Sequence, residues 1–354
     1  MIRAPTKGIR LALLAAALFG ASTPLAKALL AQATPQVLAG LLYLGSGGGL
    51  GVYWLARRRY GPAAAIEAPI LRRDLPWLAG AIGAGGVLAP VLLMAGLART
   101  SASTASLLLN LEGVFTALLA WIVLRENVDR RIFMGMMAIV VGGALLSWPG
   151  RLTGAGVVGP LLIGAACLAW AVDNNLTQRV SAGDPVQIAG AKGLIAGTVN
   201  LALGLGLGGA MPLAPRIAAA LMVGFVGYGV SLVLYVLAMR ELGTARTGAY
   251  FALAPFVGAV LGLFIFREPV TLLFLAAAVA MLLGLWLHLS ERHEHDHVHE
   301  PVRHTHRHTH DEHHQHEHRL DDPPGQPHTH EHAHARITHR HPHYPDIHHR
   351  HGHG

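Results

Sequence analysis

SASTASLLLNLEGVFTALLAWIVLRENV at 101–128 and TARTGAYFALAPFVGAVLGLFIFREPV at 244–270 are the stretches whose comparison decides the fold. Each is apolar for about 20 residues, enough for one helix to cross a hydrocarbon core of roughly 30 Å. Shifted by 142 residues, Leu111, Ala117, Leu119, Arg125, Glu126 and Val128 fall on Leu253, Ala259, Leu261, Arg267, Glu268 and Val270. Both stretches close on Arg-Glu, where the apolar run ends.

Working outward, eight further apolar stretches are found at about 11–31, 35–56, 76–97, 132–148, 155–177, 186–208, 215–238 and 270–289. The two quoted stretches are then the fourth span of each half of a ten-span chain. Five is odd, so the halves cross the bilayer in opposite senses. Inverted repeats are an architecture of secondary transporters, whose substrate site lies near the midplane between the halves. The reading is an all-α integral membrane protein: residues 1–148 and 149–290 form two inverted five-helix repeats, and 291–354 a disordered tail. The first span follows Arg3, Lys7 and Arg10 like a secretory signal, but its removal would destroy the five-plus-five organisation, so it is read as retained. Pro24, Pro90 and Pro255 mark candidate kinks, which membrane helices tolerate where neighbours satisfy the freed backbone groups.

Composition excludes a soluble enzyme. The chain is 52% hydrophobic and 13% charged, and no histidine precedes His288, so no Ser-His-Asp triad can form in the spans. The lone Cys167 excludes a disulfide framework. Residues 1–290 carry a formal +11 and the remainder −4. With the N-terminus in the cytoplasm, inside segments hold 14 basic residues and outside loops only Arg99, Arg151, Arg216 and Arg267. The positive-inside rule therefore expects both termini to be cytoplasmic. Loop charges of this kind do not call for nucleic acid.

The two quoted stretches resemble the EamA-type ten-helix branch of the drug/metabolite transporter superfamily. They match its small-residue run, its midspan Leu-x-Pro at Leu253 and Pro255, and its closing glutamate. The first copy departs from that pattern, with Gly113 where proline is usual. The resemblance covers about residues 10–289 and implies a permease of a small organic metabolite or drug in a bacterial inner membrane, with no cofactor required. It leaves the substrate, the direction of transport and a homodimer open.

Charges at membrane depth cost at least about 2.5 kcal/mol each on insertion scales, so the few present are functional candidates. Glu112 is near the middle of the fourth span, where a carboxyl can bind and release a proton during alternating access. The alternative is a carboxyl that serves packing alone. Asp173 and Lys192, each about nine residues from the turn near 182–183, can form an ion pair between the sixth and seventh spans. Asn174 and Asn175 are about 100° apart on the helix, so at most one shares the direction of Asp173 closely. Trp170 is a candidate for stacking on substrate, or for plain packing. Arg125, Glu126, Arg267 and Glu268 read as helix-boundary residues, and Lys27 as a snorkelling charge near a span end. GSGGGLG at 45–51 has no preceding strand and no following Lys-Ser/Thr, so it is no phosphate loop. Gly45 and Gly49 instead suit close helix packing.

The tail holds 23 of the 24 histidines, and His-x-His recurs 15 times. His293, His295, His297, His299, His304, His306, His308 and His310 are candidate ligands for zinc or nickel, because neutral imidazole suits such ions. This opens an alternative function, a zinc, nickel or cobalt transporter with a metal-collecting tail. Ligands for a dehydrated metal path are missing from the spans, which favours the organic solute.

Overall fold

The computed structural model describes residues 6–60, 70–124, 130–147, 155–180, 184–242, 244–289, 294–299, 303–308, 328–333 and 337–342. Among the described residues, eight helices are long and apolar enough to cross a membrane: Lys7–Gln32, Pro35–Tyr60, Arg72–Leu97, Ala102–Val123, Arg130–Ser147, Gly156–Thr177, Pro185–Gly206 and Ala214–Ala238. Two shorter apolar helices, Ala254–Phe266 and Leu272–Leu287, follow. These ten segments are the ten stretches read from the sequence. Their ends follow local chemistry: Asp184 accepts the Val186 amide at 2.9 Å ahead of Pro185, and Ser101 accepts the Thr104 amide at 3.2 Å. Arg267, in the left-handed region at φ 51°, ends the ninth span.

The two halves interleave. The first span packs on the eighth and ninth, and the sixth packs on the third and fourth. Equivalent helices pair directly, second against seventh and fifth against tenth. Gly142 sits against Ala277 and Met281, while Gly284, its repeat equivalent, sits against Gly135 and Ile139. Those contacts are equivalent in their turn, since 135 and 139 shift by the same 142 residues to 277 and 281. The 45–51 run acts in packing: a Cβ on Gly45 would strike Leu221, and one on Gly49 the Phe225 ring.

Two spans in each half depart from α-helical geometry, at equivalent places. The third span is π-helical over Ile82–Leu88, and the eighth over Gly224–Val230, a shift of 142 residues. The fourth span is Ala102–Leu108 and Leu111–Leu124, interrupted at 109–110. The ninth is Thr244–Phe251 and Ala254–Phe266, interrupted at 252–253. Pro255 lies at such a break and Pro90 just beyond a π segment, as kink candidates should. Pro24 does not, because Thr6–Leu29 stays helical through it. The fourth span breaks without a proline, beside Asn110, whose side-chain amide donates to the Leu107 carbonyl at 2.9 Å.

Within the tail the described residues form four short strands. β1 (Glu294–His299) pairs antiparallel with β4 (Ile337–Pro342), and β2 (Arg303–His308) with β3 (His328–Ala333). Composition argues against a buried core here, but a two-stranded ladder needs none. The alternation of His with Thr, Val, Arg or Glu has the strand period of two.

Candidate functional site

Within the interleaved bundle two clusters of unlike chemistry meet at Tyr43. One is polar and comes from the second, third, fourth, sixth and seventh spans. Asp173, only 5% exposed, takes Lys192 Nζ on both carboxylate oxygens at 2.6 and 2.7 Å. Thr177 completes the cluster, its hydroxyl 2.8 Å from Asp173 Oδ1 and 3.2 Å from Lys192 Nζ. One turn of helix separates Asp173 from Thr177, which lets both meet one ammonium. Glu112 lies in the first turn of the second half of the broken fourth span and accepts from Asn174 Nδ2 at 2.8 Å. Thr116, one turn on, is 3.4 Å from the same amide. Glu112 is also within electrostatic reach of Asp173 and Lys192.

Asn174 therefore serves Glu112, while Asn175 turns back to the Ala171 carbonyl at 2.8 Å. Neither amide bonds to Asp173. Trp170, 8% exposed, commits its indole N–H to the Gly85 carbonyl at 3.0 Å. That is a packing and hydrogen-bonding role. Cys167 is buried with its thiol 3.7 Å from the Leu108 carbonyl.

Pro90 explains why Gly85 and Gly86 need such partners. Lacking an N–H, it cannot donate to a carbonyl four or five residues earlier. Tyr43 OH and Trp170 Nε1 donate to Gly85 at 2.9 and 3.0 Å, and Asn200 Nδ2 to Gly86 at 2.9 Å. Tyr43 and Asn200 were not singled out in the sequence. A proline preceded by GAGG, with polar side chains on other spans, is the signal that could have flagged them.

The second cluster is aromatic. Phe19 of the first span lies 5.7 Å from Tyr228 of the eighth and 5.3 Å from Phe251 of the ninth, centroid to centroid. Phe251 continues to Tyr235 at 4.8 Å, and Tyr43 meets Tyr228 at 5.8 Å. These five rings and Glu112 are all half-accessible.

At the end carrying the 98–101 turn, Glu268 reaches across the repeats to the start of the fourth span. It accepts the Ala102 amide at 2.6 Å, the Ser103 amide at 3.0 Å and the Ser103 hydroxyl. The boundary glutamate is thus also a helix cap supplied from the other half. Lys27 Nζ donates to the Thr100 and Leu97 carbonyls at the same end, at 2.7 and 2.5 Å. At the opposite end Arg57 pairs with Asp184. Arg125 and Glu126 lie outside the described residues, as do His293 and His310. Among the described residues, no three His, Cys, Asp or Glu side chains converge as a metal site would require.

The profile of the EamA-like transporter family matches the chain twice, over residues 6–148 and 157–290. The chain belongs to this family. Its helices are those of a multi-pass integral membrane protein, and a family of transporters, not of enzymes, is the one it joins. A protein of Methanothermobacter thermautotrophicus described as an uncharacterized transporter is 33% identical over 228 residues. That alignment takes in 62% of this chain and 66% of the relative's length. A solved crystal structure superposes with a TM-score of 0.58 at 16% identity, covering 78% of this chain and 95% of that one, which shows the shared fold.

Proposed function

We propose that this EamA-family protein is a secondary active permease that moves a small organic metabolite or drug outward by alternating access, coupled to a proton or other ion. The carrying observation is the pair of interruptions within one residue of equivalent points of the two repeats, at 109–110 and 252–253, the first beside the Glu112–Asn174 pair. Discontinuous helices in corresponding positions are where secondary transporters build substrate and ion sites. Glu112 is the coupling carboxyl in this reading, and Asp173–Lys192 orders the polar cluster. The loop charges support a bacterial inner-membrane location with both termini cytoplasmic. The test is uptake into vesicles holding the purified protein under an imposed pH gradient. Glu112→Gln should flatten the pH dependence while the protein stays folded, and an unchanged pH profile would remove the coupling role.

The tail is proposed as a metal-binding appendage for zinc or nickel, separate from the transport path. The ladder register sets His295 opposite His341 and His297 opposite His339. In the second ladder His304, His306 and His308 stand opposite His332, His330 and His328. Directly paired positions lie about 4.5–5.5 Å apart, close enough for two residues to share one ion. Truncation after Ser290 should abolish zinc binding and spare solute transport. Undiminished metal transport by the truncated form would instead favour a metal carrier.

A further inference from the structure

Resting on the transporter reading, we infer that Lys27 and Glu268 form a clasp that holds the path shut at the 98–101 end, and that each transport cycle requires the clasp to release. The packing divides the bundle into two groups. The first, eighth and ninth spans pack together, and so do the third, fourth and sixth. Lys27 belongs to the first span and Glu268 follows the ninth, so both prongs come from one group. Both land on the other group, within the corner at 97–103 that joins the third span to the fourth.

The chemistry of that corner fits the two charges. The third span ends at Leu97, where helix carbonyls run out of backbone partners, and Lys27 Nζ takes the Leu97 and Thr100 carbonyls at 2.5 and 2.7 Å. The fourth span begins at Ala102, where helix amides lack acceptors, and Glu268 accepts those of Ala102 and Ser103 together with the Ser103 hydroxyl. A cation thus sits at one helix C-terminus and an anion at the next helix N-terminus, each matched to the partial charge of that end. Lys27 and Glu268 are also within electrostatic reach of one another. Arg267 in the left-handed region, and the Glu268 amide bonded to the Leu263 carbonyl at 3.2 Å, fix where the carboxylate starts.

Beneath the clasp the two groups touch through glycine. A Cβ on Gly262 would strike Ala102 and Ser103, and one on Gly258 would strike Ser106. The segments that meet here are Ala102–Leu108 and Ala254–Phe266. Their repeat equivalents, Thr244–Phe251 and Leu111–Leu124, show no comparable packing among the described residues. At that opposite end Arg57 pairs with Asp184 between the second and seventh spans, and Arg179 lies over Trp77 between the sixth and third. Neither contact runs between the two groups. The groups are therefore joined at the clasp, and the exchange expected of inverted repeats parts them there and joins them at the other end. In the orientation proposed above, the shut end faces away from the cytoplasm.

The test uses the full chain in lipid nanodiscs, in a Cys167→Ser background, with nitroxide pairs whose separation is read by pulsed electron paramagnetic resonance. One pair, at Arg99 and Val270, spans the clasp end, and the other, at Arg10 and Leu75, spans the opposite end. All four positions are exposed. Glu268→Gln, which keeps the size and loses the charge, should lower the ratio of clasped to parted molecules about tenfold, the equilibrium worth of one charge-assisted hydrogen bond. Lys27→Met should act in the same direction, and the double variant beyond either. As the 99-to-270 distance lengthens, the 10-to-75 distance should shorten, a reciprocity that a cap serving stability alone does not produce. Thr271→Ala, which removes the neighbouring cap of the tenth span, should leave both distances unchanged. If Glu268→Gln and the double variant leave both distances as in the unaltered chain, or lengthen both together, the clasp inference falls while the transporter reading stands. If the reciprocity is seen but no solute crosses proteoliposomes under any gradient, the transporter reading falls and the clasp survives as a conformational lock.

Discussion

The π segments of the third and eighth spans occupy the same place in the repeat and are held by different chemistry. Over Ile82–Leu88 the freed carbonyls of Gly85 and Gly86 are met by Tyr43, Trp170 and Asn200, because Pro90 cannot serve them. Over Gly224–Val230 the equivalent of Pro90 is Leu232 and the equivalent of Ile82 is Gly224. Here the helix is pressed against its neighbours instead: Gly224 rests on the Leu42 carbonyl and Gly227 on Ser22. Inversion has preserved where the backbone departs from the α-helix, and each half has found its own way to hold the departure. The breaks at 109–110 and 252–253 repeat the lesson, one beside Asn110 and the other beside Pro255.

This contrast is broken most severely at Gly224. A Cβ there would meet backbone of the second span, which cannot swing aside as a side chain can. Gly224→Ala is expected to cost more than about 3 kcal/mol, the upper range for overpacking, and to leave little monodisperse protein in detergent. Gly83→Ala in the first π segment, with nothing within 4 Å of the added carbon, should change the melting temperature hardly at all. Equal damage from both would mean that the segments are held alike.

Second in size is Asn200→Leu. It removes the side-chain donor to the Gly86 carbonyl, in a segment where Pro90 can offer no substitute. An unmet buried carbonyl costs about 1–3 kcal/mol, so thermal stability should drop clearly. Leu232→Ala, at the position equivalent to Pro90, removes no hydrogen bond and should be milder. If Asn200→Leu is silent, the side-chain amide is not what holds the π segment.

These differences explain what the sequence could and could not convey. Span positions follow from apolar length, and the repeat from six identities anchored by Arg125–Glu126 and Arg267–Glu268. Asp173 and Lys192 were legible because two charges at similar depth on adjacent antiparallel helices have few other partners. Asn174 was ambiguous, since helix spacing gives direction but not the neighbour it meets. The π segments were invisible, because a shift from i−4 to i−5 bonding leaves no periodicity in residue type. Likewise Glu268 reads as a boundary residue until Ala102 and Ser103 are seen beneath its carboxylate. In the tail, the alternation that permits β1 to β4 was read only as metal-ligand spacing.

A milder test compares the two breaks. Asn110→Ala leaves the Leu107 carbonyl without its side-chain donor and should cost about 1 kcal/mol. Pro255→Ala acts the other way, restoring an N–H able to reach back toward the Phe251 carbonyl. The ninth span should then become more continuous, with stability held or slightly raised and transport slowed. Comparable losses of stability from both changes would show that the interruptions have the same cause.

The smallest effect belongs to Tyr43→Phe. Its hydroxyl is one of two donors on the Gly85 carbonyl, and the Trp170 indole remains when it is removed. A carbonyl oxygen with two lone pairs loses only its second partner, and single interhelical hydrogen bonds in membranes average about 0.6 kcal/mol. Trp170→Phe alone should cost more than that, because ring volume is lost along with the N–H. In the double variant Gly85 has neither donor and Pro90 still cannot help, so the loss should exceed the sum of the singles. A double-mutant cycle on thermal unfolding in detergent reads that excess directly. Strict additivity would mean that each side chain acts through its own packing, and the two π segments would then differ less than their hydrogen bonds imply.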